Sequence, residues 1–371
     1  MNRFSEIKGN FGFGCMRLPL LECGEVDTEQ FSKMVDLFIG AGFNYFDTAH
    51  GYLKGMSETA LKASLTSRYP REAYILTNKL SGNHFEKEED IRPLFQSQLE
   101  ACGVDYFDFY LMHAQNRNNF EQYKACRAYE TALALKDEGK IHHLGISFHD
   151  TADVLDKILT EYPQIEIVQI QFNYIDFEDE GVQSRKCYEV CRKHNKPIIV
   201  MEPVKGGSLV ELPCDAGAIL DSLDGGSHAS YAIRFAAGFE GIEMVLSGMG
   251  NIAMVEDNIS YMKDFKPLTS DETAAIDKVV EIIRSRPLIS CTDCKYCTER
   301  CPMSIPIPSL FACMNDHTRL NLWKANYLYN KYTAESGKAN TCIECGACEV
   351  ACPQKLPIRD LLKAVSAKFD K

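Results

Sequence analysis

Phe43-Asn44-Tyr45-Phe46-Asp47-Thr48, set between Gly42 and Gly51, is a short aromatic-rich run of the β type. Seven more such runs occur in the first two thirds of the chain: Phe11–Met16, Ala73–Lys79, Tyr106–Met112, His142–Ser147, Glu166–Phe172, Pro197–Glu202 and Ile242–Ser247. Amphipathic stretches separate them. Asp27–Gly40 sets Phe31, Met34, Val35 and Phe38 on one helical face, and Asn119–Glu138 repeats apolar residues at helical spacing before Gly139. Strand and helix in alternation make parallel βα units, and eight of them predict an α/β fold, a TIM (β/α)8 barrel over residues 1–266. An open doubly wound sheet is the alternative. It needs a G-x-G-x-x-G turn after an early strand, whereas Phe11-Gly12-Phe13-Gly14 lies within a strand.

Beyond Lys266-Pro267, apolar residues at helical spacing from Ser270 to Arg284 predict a connecting helix within 267–286. The boundary of a last domain, 287–371, is read at Arg286-Pro287. Eight of the 16 cysteines form two runs there: Cys291, Cys294, Cys297 and Cys301 before Pro302, then Cys342, Cys345, Cys348 and Cys352 before Pro353. Each reads C-x2-C-x2-C-x3-C-P. Three thiolates at two-residue gaps wrap three corners of an iron-sulfur cubane, and the fourth is directed elsewhere. Zinc sites take four ligands, usually in two short pairs, and the duplicated four-cysteine run exceeds that need. The runs resemble those of bacterial two-cluster ferredoxins, in which the fourth cysteine of each run ligates the other cluster. That resemblance implies two [4Fe-4S] clusters, one on Cys291, Cys294, Cys297 and Cys352, the other on Cys342, Cys345, Cys348 and Cys301. Helical patches at Pro308–Met314 and Thr318–Tyr332 make the domain small, mainly helical and ferredoxin-like.

A net charge of -12 without a block of basic residues argues against nucleic-acid and anionic-membrane partners. No run approaches the ~18 apolar residues of a membrane span, and Met1–Asn10 lacks the apolar core of a signal peptide. The cysteines outside the two runs follow no repeated spacing, the pattern of buried free thiols. The expectation is a cytoplasmic protein acting on small molecules or protein partners.

Barrel active sites gather at the C-terminal ends of the strands. Strand two ends in Asp47 with Tyr52 five residues on, strand three ends in Lys79, and strand four runs into His113. A carboxylate, a phenol, an ammonium and an imidazole thus converge. The plainer alternative is a buried Asp-Lys pair at the barrel top, near neutral in net stability because desolvation offsets attraction. After strand eight, Ser247-Gly248-Met249-Gly250-Asn251 opens a helix whose free N–H groups and dipole suit a phosphate. Lys205 is a second phosphate contact on this reading, and simple tight-loop glycines are the alternative. His50 faces substrate or only the rim; His142, His143 and His149 read as core or surface polar residues, and Cys187 with Cys191 as packing.

The pattern Gly42-Phe43-x-x-Phe46-Asp47-Thr48-Ala49-x-x-Tyr52, with Lys79 and His113 on the next two strands, resembles the aldo-keto reductases over residues 11 to about 265. By that resemblance Asp47, Tyr52, Lys79 and His113 are a catalytic tetrad and NAD(P)H is the cofactor. It also implies that Ser147 (Gly145-Ile-Ser147) and Gln169 (Val168-Gln-Ile-Gln-Phe-Asn173) bind the nicotinamide amide, and that Asn258 (Glu256-Asp257-Asn258) lies on the cofactor helix. Met201 stands where the family stacks an aromatic on nicotinamide, and Met254 where it places an arginine on the 2'-phosphate. NADH, NADPH and a flavin therefore stay open. A phenol titrates near ~10, and a neighbouring ammonium lowers it by roughly one to three units. Lys79 is thus expected to ease proton donation from Tyr52 to a carbonyl oxygen held by His113.

Together the halves read as an iron-sulfur oxidoreductase that reduces a carbonyl or oxidises an alcohol, its clusters exchanging electrons with a ferredoxin or flavodoxin-type carrier. The alternative is an electron-transfer or redox-sensing protein whose barrel binds a ligand or partner without turnover.

Overall fold

The computed structural model describes residues 4–286, 288–320 and 323–370. Pro287 of the boundary dipeptide, Met1–Arg3, Asn321, Leu322 and Lys371 lie outside them. Eight parallel strands follow one another around a closed barrel: β1 (Phe11–Gly14), β2 (Tyr45–Asp47), β3 (Ile75–Leu80), β4 (Phe107–Gln115), β5 (Ile141–Phe148), β6 (Ile167–Gln171), β7 (Ile198–Met201) and β8 (Ile242–Gly248). β1 closes the ring on β8. All eight predicted runs are strands, and the open sheet is excluded.

The two-residue period of a strand decides what fills the barrel. Tyr45, Ile75, Phe109, Leu111, Ile167, Ile199, Met244 and Leu246 pack with Phe4 and Ile7 as one buried cluster. Burying each such side chain contributes about 1.5–3 kcal/mol. The space is tight: a Cβ on Gly12 would meet the Leu246 side chain at 2.7 Å, and one on Gly145 the Leu111 side chain at 2.5 Å. One period further along the same inward face come Asp47 on β2, His113 on β4, Ser147 on β5 and Gln169 on β6, and two periods from Ile75 comes Lys79 on β3. The apolar layer thus sets the height of the polar one.

Outside the strands, helix Thr28–Gly40 starts where the Asp27 side chain accepts from Gln30 N–H, and it buries Phe31, Met34, Val35 and Phe38. The single helix expected over Asn119–Glu138 is instead two, Phe120–Ala125 and Ala128–Asp137, because Arg127 adopts a left-handed backbone, φ 49°.

The chain forms two compact units. The barrel unit takes in Met1–Asp179, Gln183–Pro203 and Ala229–Leu268; the second takes in Glu180–Val182, Val204–His228 and Thr269–Lys371. In the second, helix Ser270–Arg284 begins with a reciprocal cap between Thr269 and Glu272. Helices Ile307–Leu320, Trp323–Tyr332 and Ile358–Phe369 gather Leu310, Phe311, Tyr329, Leu362 and Val365 into a core. Short helices Tyr296–Glu299 and Ala347–Ala351 carry the third cysteine of each run.

Candidate functional site

At the C-terminal ends of β2 and β3, Lys79 is 1% exposed and Asp47 3%. Lys79 Nζ donates to Asp47 Oδ1 at 2.6 Å, to the Thr48 carbonyl at 2.7 Å and to Tyr52 Oη at 3.3 Å. Burial drives the Asp47 carboxyl up and the Lys79 ammonium down in pKa, and each partner's charge opposes the change. His113 lies where β4 bulges, its register on β5 shifting between Met112 and Gln115 and Ala114 taking φ 51°. Bulges of this kind re-aim side chains beside active sites. The His113 ring meets the Tyr52 ring edge-on at 5.9 Å, and its Nδ1 pairs with Ser81 Oγ at 2.6 Å. Burial first, then Lys79 and two other histidines, hold His113 well below the usual imidazole range, so its ring is neutral at neutral pH.

Tyr52 differs from the sequence-based expectation. Burial, then the Asp47 charge, pushes its pKa well above 10, and the opposing charge is Arg17 rather than Lys79. Desolvation of the phenolate outweighs the nearby ammonium because Asp47 already neutralises it.

Around this group lie Arg17, Glu202, Glu58 and His84, to which the motifs did not point, and His50, which the sequence singles out. Arg17, on the loop after β1, pairs with Glu202 at 3.5 Å, and its side chain lies against Gly248. Glu202 has φ 57° and a buried Oε2 with no hydrogen-bond partner. His50 Nδ1 meets the buried Glu58 at 2.9 Å, Glu58 accepts from Asn78, and the His50 ring packs edge-on against His84. Long-range partners of this kind leave no local spacing to read, although an Arg and a Glu just beyond two strand ends were a usable signal.

Ser147 and Gln169 face each other across the β5–β6 register. Ser147 Oγ accepts from Ala114 N–H at 2.8 Å, and Gln169 Nε2 approaches Asp47 Oδ2 at 3.4 Å. Asn258 Nδ2 donates to Ser247 Oγ at 2.8 Å. Asn251 caps helix Ile252–Met262 by accepting from Met254 N–H, and Gly250 N–H points to the Met254 sulfur. Helix start, glycines and Arg17 together suit an anion. Lys205 is buried at 3% exposure, with Nζ on Gln354 Oε1 at 2.9 Å.

The eight thiols fall into two groups. Cys301, Cys342, Cys345 and Cys348 line one pocket with Ile305, Ile307 and Leu362. Cys291, Cys294, Cys297 and Cys352 lie within electrostatic reach of one another. Each group takes three cysteines from one run and the fourth from the other. Burial pushes the Cys291 and Cys297 thiols up to about 12 and Cys348 to about 11. Metal ligation would therefore have to displace their protons, which iron does on binding thiolate. Four thiolates about a cubane also stand further apart than four around one ion. Among the described residues no group of three or more His, Cys, Asp or Glu has the spacing of a single-ion site. Among the described residues no helix is long and apolar enough to cross a membrane.

Residues 10–281 match the model of the Aldo/keto reductase family, and residues 290–356 that of a 4Fe-4S dicluster domain. An uncharacterized oxidoreductase of Bacillus subtilis is 23% identical over 85% of this chain and 94% of its own length. The NADH-specific methylglyoxal reductase of Escherichia coli is 28% identical over 45% of this chain and 54% of its own. Among solved structures, an aldo-keto reductase of Klebsiella pneumoniae in complex with NADPH superposes with a TM-score of 0.60 at 18% identity, covering 73% of this chain and 90% of that one. The holo form of one from Bacillus halodurans gives 0.59 at 24%, covering 73% and 91%.

Proposed function

The chain belongs to the aldo/keto reductase family and ends in a 4Fe-4S dicluster domain, and we propose that it reduces a small carbonyl compound at Tyr52, with its clusters exchanging electrons with a ferredoxin or flavodoxin-type carrier. The observation that carries this reading is the buried Asp47–Lys79 pair bonded to the half-buried Tyr52 beside a neutral His113. A bound nicotinamide, NADH or NADPH, supplies the hydride. With Ser81 Oγ–H donating to Nδ1, the neutral His113 ring carries its proton on Nε2 and donates it in a hydrogen bond to the carbonyl oxygen. Tyr52, protonated at neutral pH, gives its proton to that oxygen as negative charge develops there. Lys79 steadies the phenolate left behind, and Asp47 fixes the ammonium in place. In the reverse direction the same groups take the proton from an alcohol.

Ser147 and Gln169 are the residues to hold the nicotinamide amide, and Ser247, Gly248 and Asn251, with Asn258 bracing Ser247, those to hold the phosphates. The eight cysteines, in their two mixed groups, would hold the clusters. Each cluster would exchange one electron at a time, so that the two together would exchange with the carrier the two electrons of one hydride. Carbonyl reduction by NADH, with methylglyoxal as first substrate after the E. coli relative, tests the reading. Tyr52→Phe is expected to lower turnover by about 10² to 10⁴-fold, and turnover near wild type would overturn it. A second reading, ligand binding without turnover, draws on Met201 and Met254 in place of the aromatic and the arginine. It predicts binding with neither cluster reduction by NAD(P)H nor Tyr52-dependent turnover.

A further inference from the structure

Lys205, Gly206 and Gly207 form a turn in which all three residues are left-handed, at φ 48°, 63° and 98°. Gly206 presses on the first cysteine run: a Cβ there would fall 2.4 Å from the Thr292 carbonyl oxygen, so no side chain fits. Thr292 is buried between Cys291 and Cys294. On the other side Lys205 Nζ holds Gln354, itself buried and two residues past Cys352. The N–H groups of Gln354 and Leu356 turn toward the Cys352 sulfur, that of Lys355 donates to the Cys352 carbonyl at 3.2 Å, and that of Asp293 turns toward the Cys291 sulfur. A single turn therefore props both loops that hold one cysteine group. The potential of an iron-sulfur cluster follows its net charge, the hydrogen bonds to its sulfurs and its exposure. A buried ammonium beside the Cys352 loop is little screened in low dielectric and so bears on the first, and through Gln354 it bears on the second.

We infer that Lys205 is a tuning residue for the cluster of Cys291, Cys294, Cys297 and Cys352, its positive charge stabilising the one-electron-reduced cluster and raising its potential. The step moves one electron from a one-electron reductant to the cluster, and no bond or proton changes place. The inference rests on that grouping of the cysteines, and on Lys205 serving the cluster in place of the phosphate role its sequence position implied.

The test is an anaerobic redox titration of the full-length holoprotein, read by EPR. In Lys205→Met, one of the two cluster signals is expected to reduce at a potential lower by about 59 mV, a tenfold change in its one-electron ratio. The other signal stays in place, and Lys205→Arg keeps the wild-type value. Cys294→Ser identifies the signal of this group: a Lys205→Met shift confined to the other signal would overturn the grouping, while no shift at full iron content would overturn the tuning role. Should Lys205→Met load iron poorly, Gln354→Glu keeps the shape and neutralises the ammonium. It is expected to lower the same signal, and an unchanged potential there overturns the inference.

Discussion

The barrel and the C-terminal unit hold their reactive groups by opposite means. In the barrel every buried charge of the tetrad is answered from within the chain: Lys79 by Asp47, and Asp47 by Gln169 as well. In the C-terminal unit burial pushes the thiols up, to about 12 for Cys291 and Cys297, and keeps them neutral. The Asp47 and Lys79 charges of the first site balance each other as folded. The second matches a 4Fe-4S dicluster domain, in which cluster binding contributes part of the folding free energy.

Iron removal should separate the two most sharply. Stripping the holoprotein of iron under anaerobic conditions is expected to speed amide exchange in Ile307–Leu320 and Ile358–Phe369 by at least about 10²-fold while β1–β8 keep their protection. Equal loss in both units would erase the distinction. Next in size, Lys79→Met leaves the Asp47 carboxylate buried alone and should cost about 3–5 kcal/mol of stability. Denaturant unfolding checks this, and the double variant Asp47→Asn/Lys79→Met should recover most of the loss; additive costs would show that the two charges do not neutralise each other. The smallest effect belongs to the far end of β6. There burial raises Glu166, but His143, Lys136 and Leu144 N–H outweigh it and hold the carboxyl at about 2. Because the folded value lies below the ordinary 4.5, its stabilisation is full above pH 4.5 and lost as pH falls toward 2. The side chain is 31% exposed, so the loss is about 1–2 kcal/mol after solvent screening. Lys136→Met should flatten that part of an acid titration, and an unchanged slope would remove the pair from the account.

Much of this was legible in the chain. The eight β-type runs located every strand because the strands of a closed parallel barrel are covered on both sides, which writes dense apolar runs into the sequence. Asp47, Lys79 and His113 could be placed because each stands on a strand near its C-terminal end, whereas Tyr52 lies on the turn five residues past β2. Less legible was Arg127, whose left-handed backbone breaks a helix that the apolar spacing runs straight through. The Arg17–Glu202 pair and the Ser81–His113 bond were also hidden, since their partners stand far apart in sequence.

What the sequence by itself determined is the set of local periods: two residues for strands, 3.6 for helices, three for the cysteine runs, and hence the barrel and the paired cysteine motifs. Only the tertiary structure decided which side chains lose their water together. It drove Tyr52 up where the neighbouring ammonium alone implied down, and it turned Lys205 onto Gln354 where its position in the chain pointed to a phosphate. Both follow from burial, which depends on every element packed around a group and so cannot be read from its neighbours in the chain.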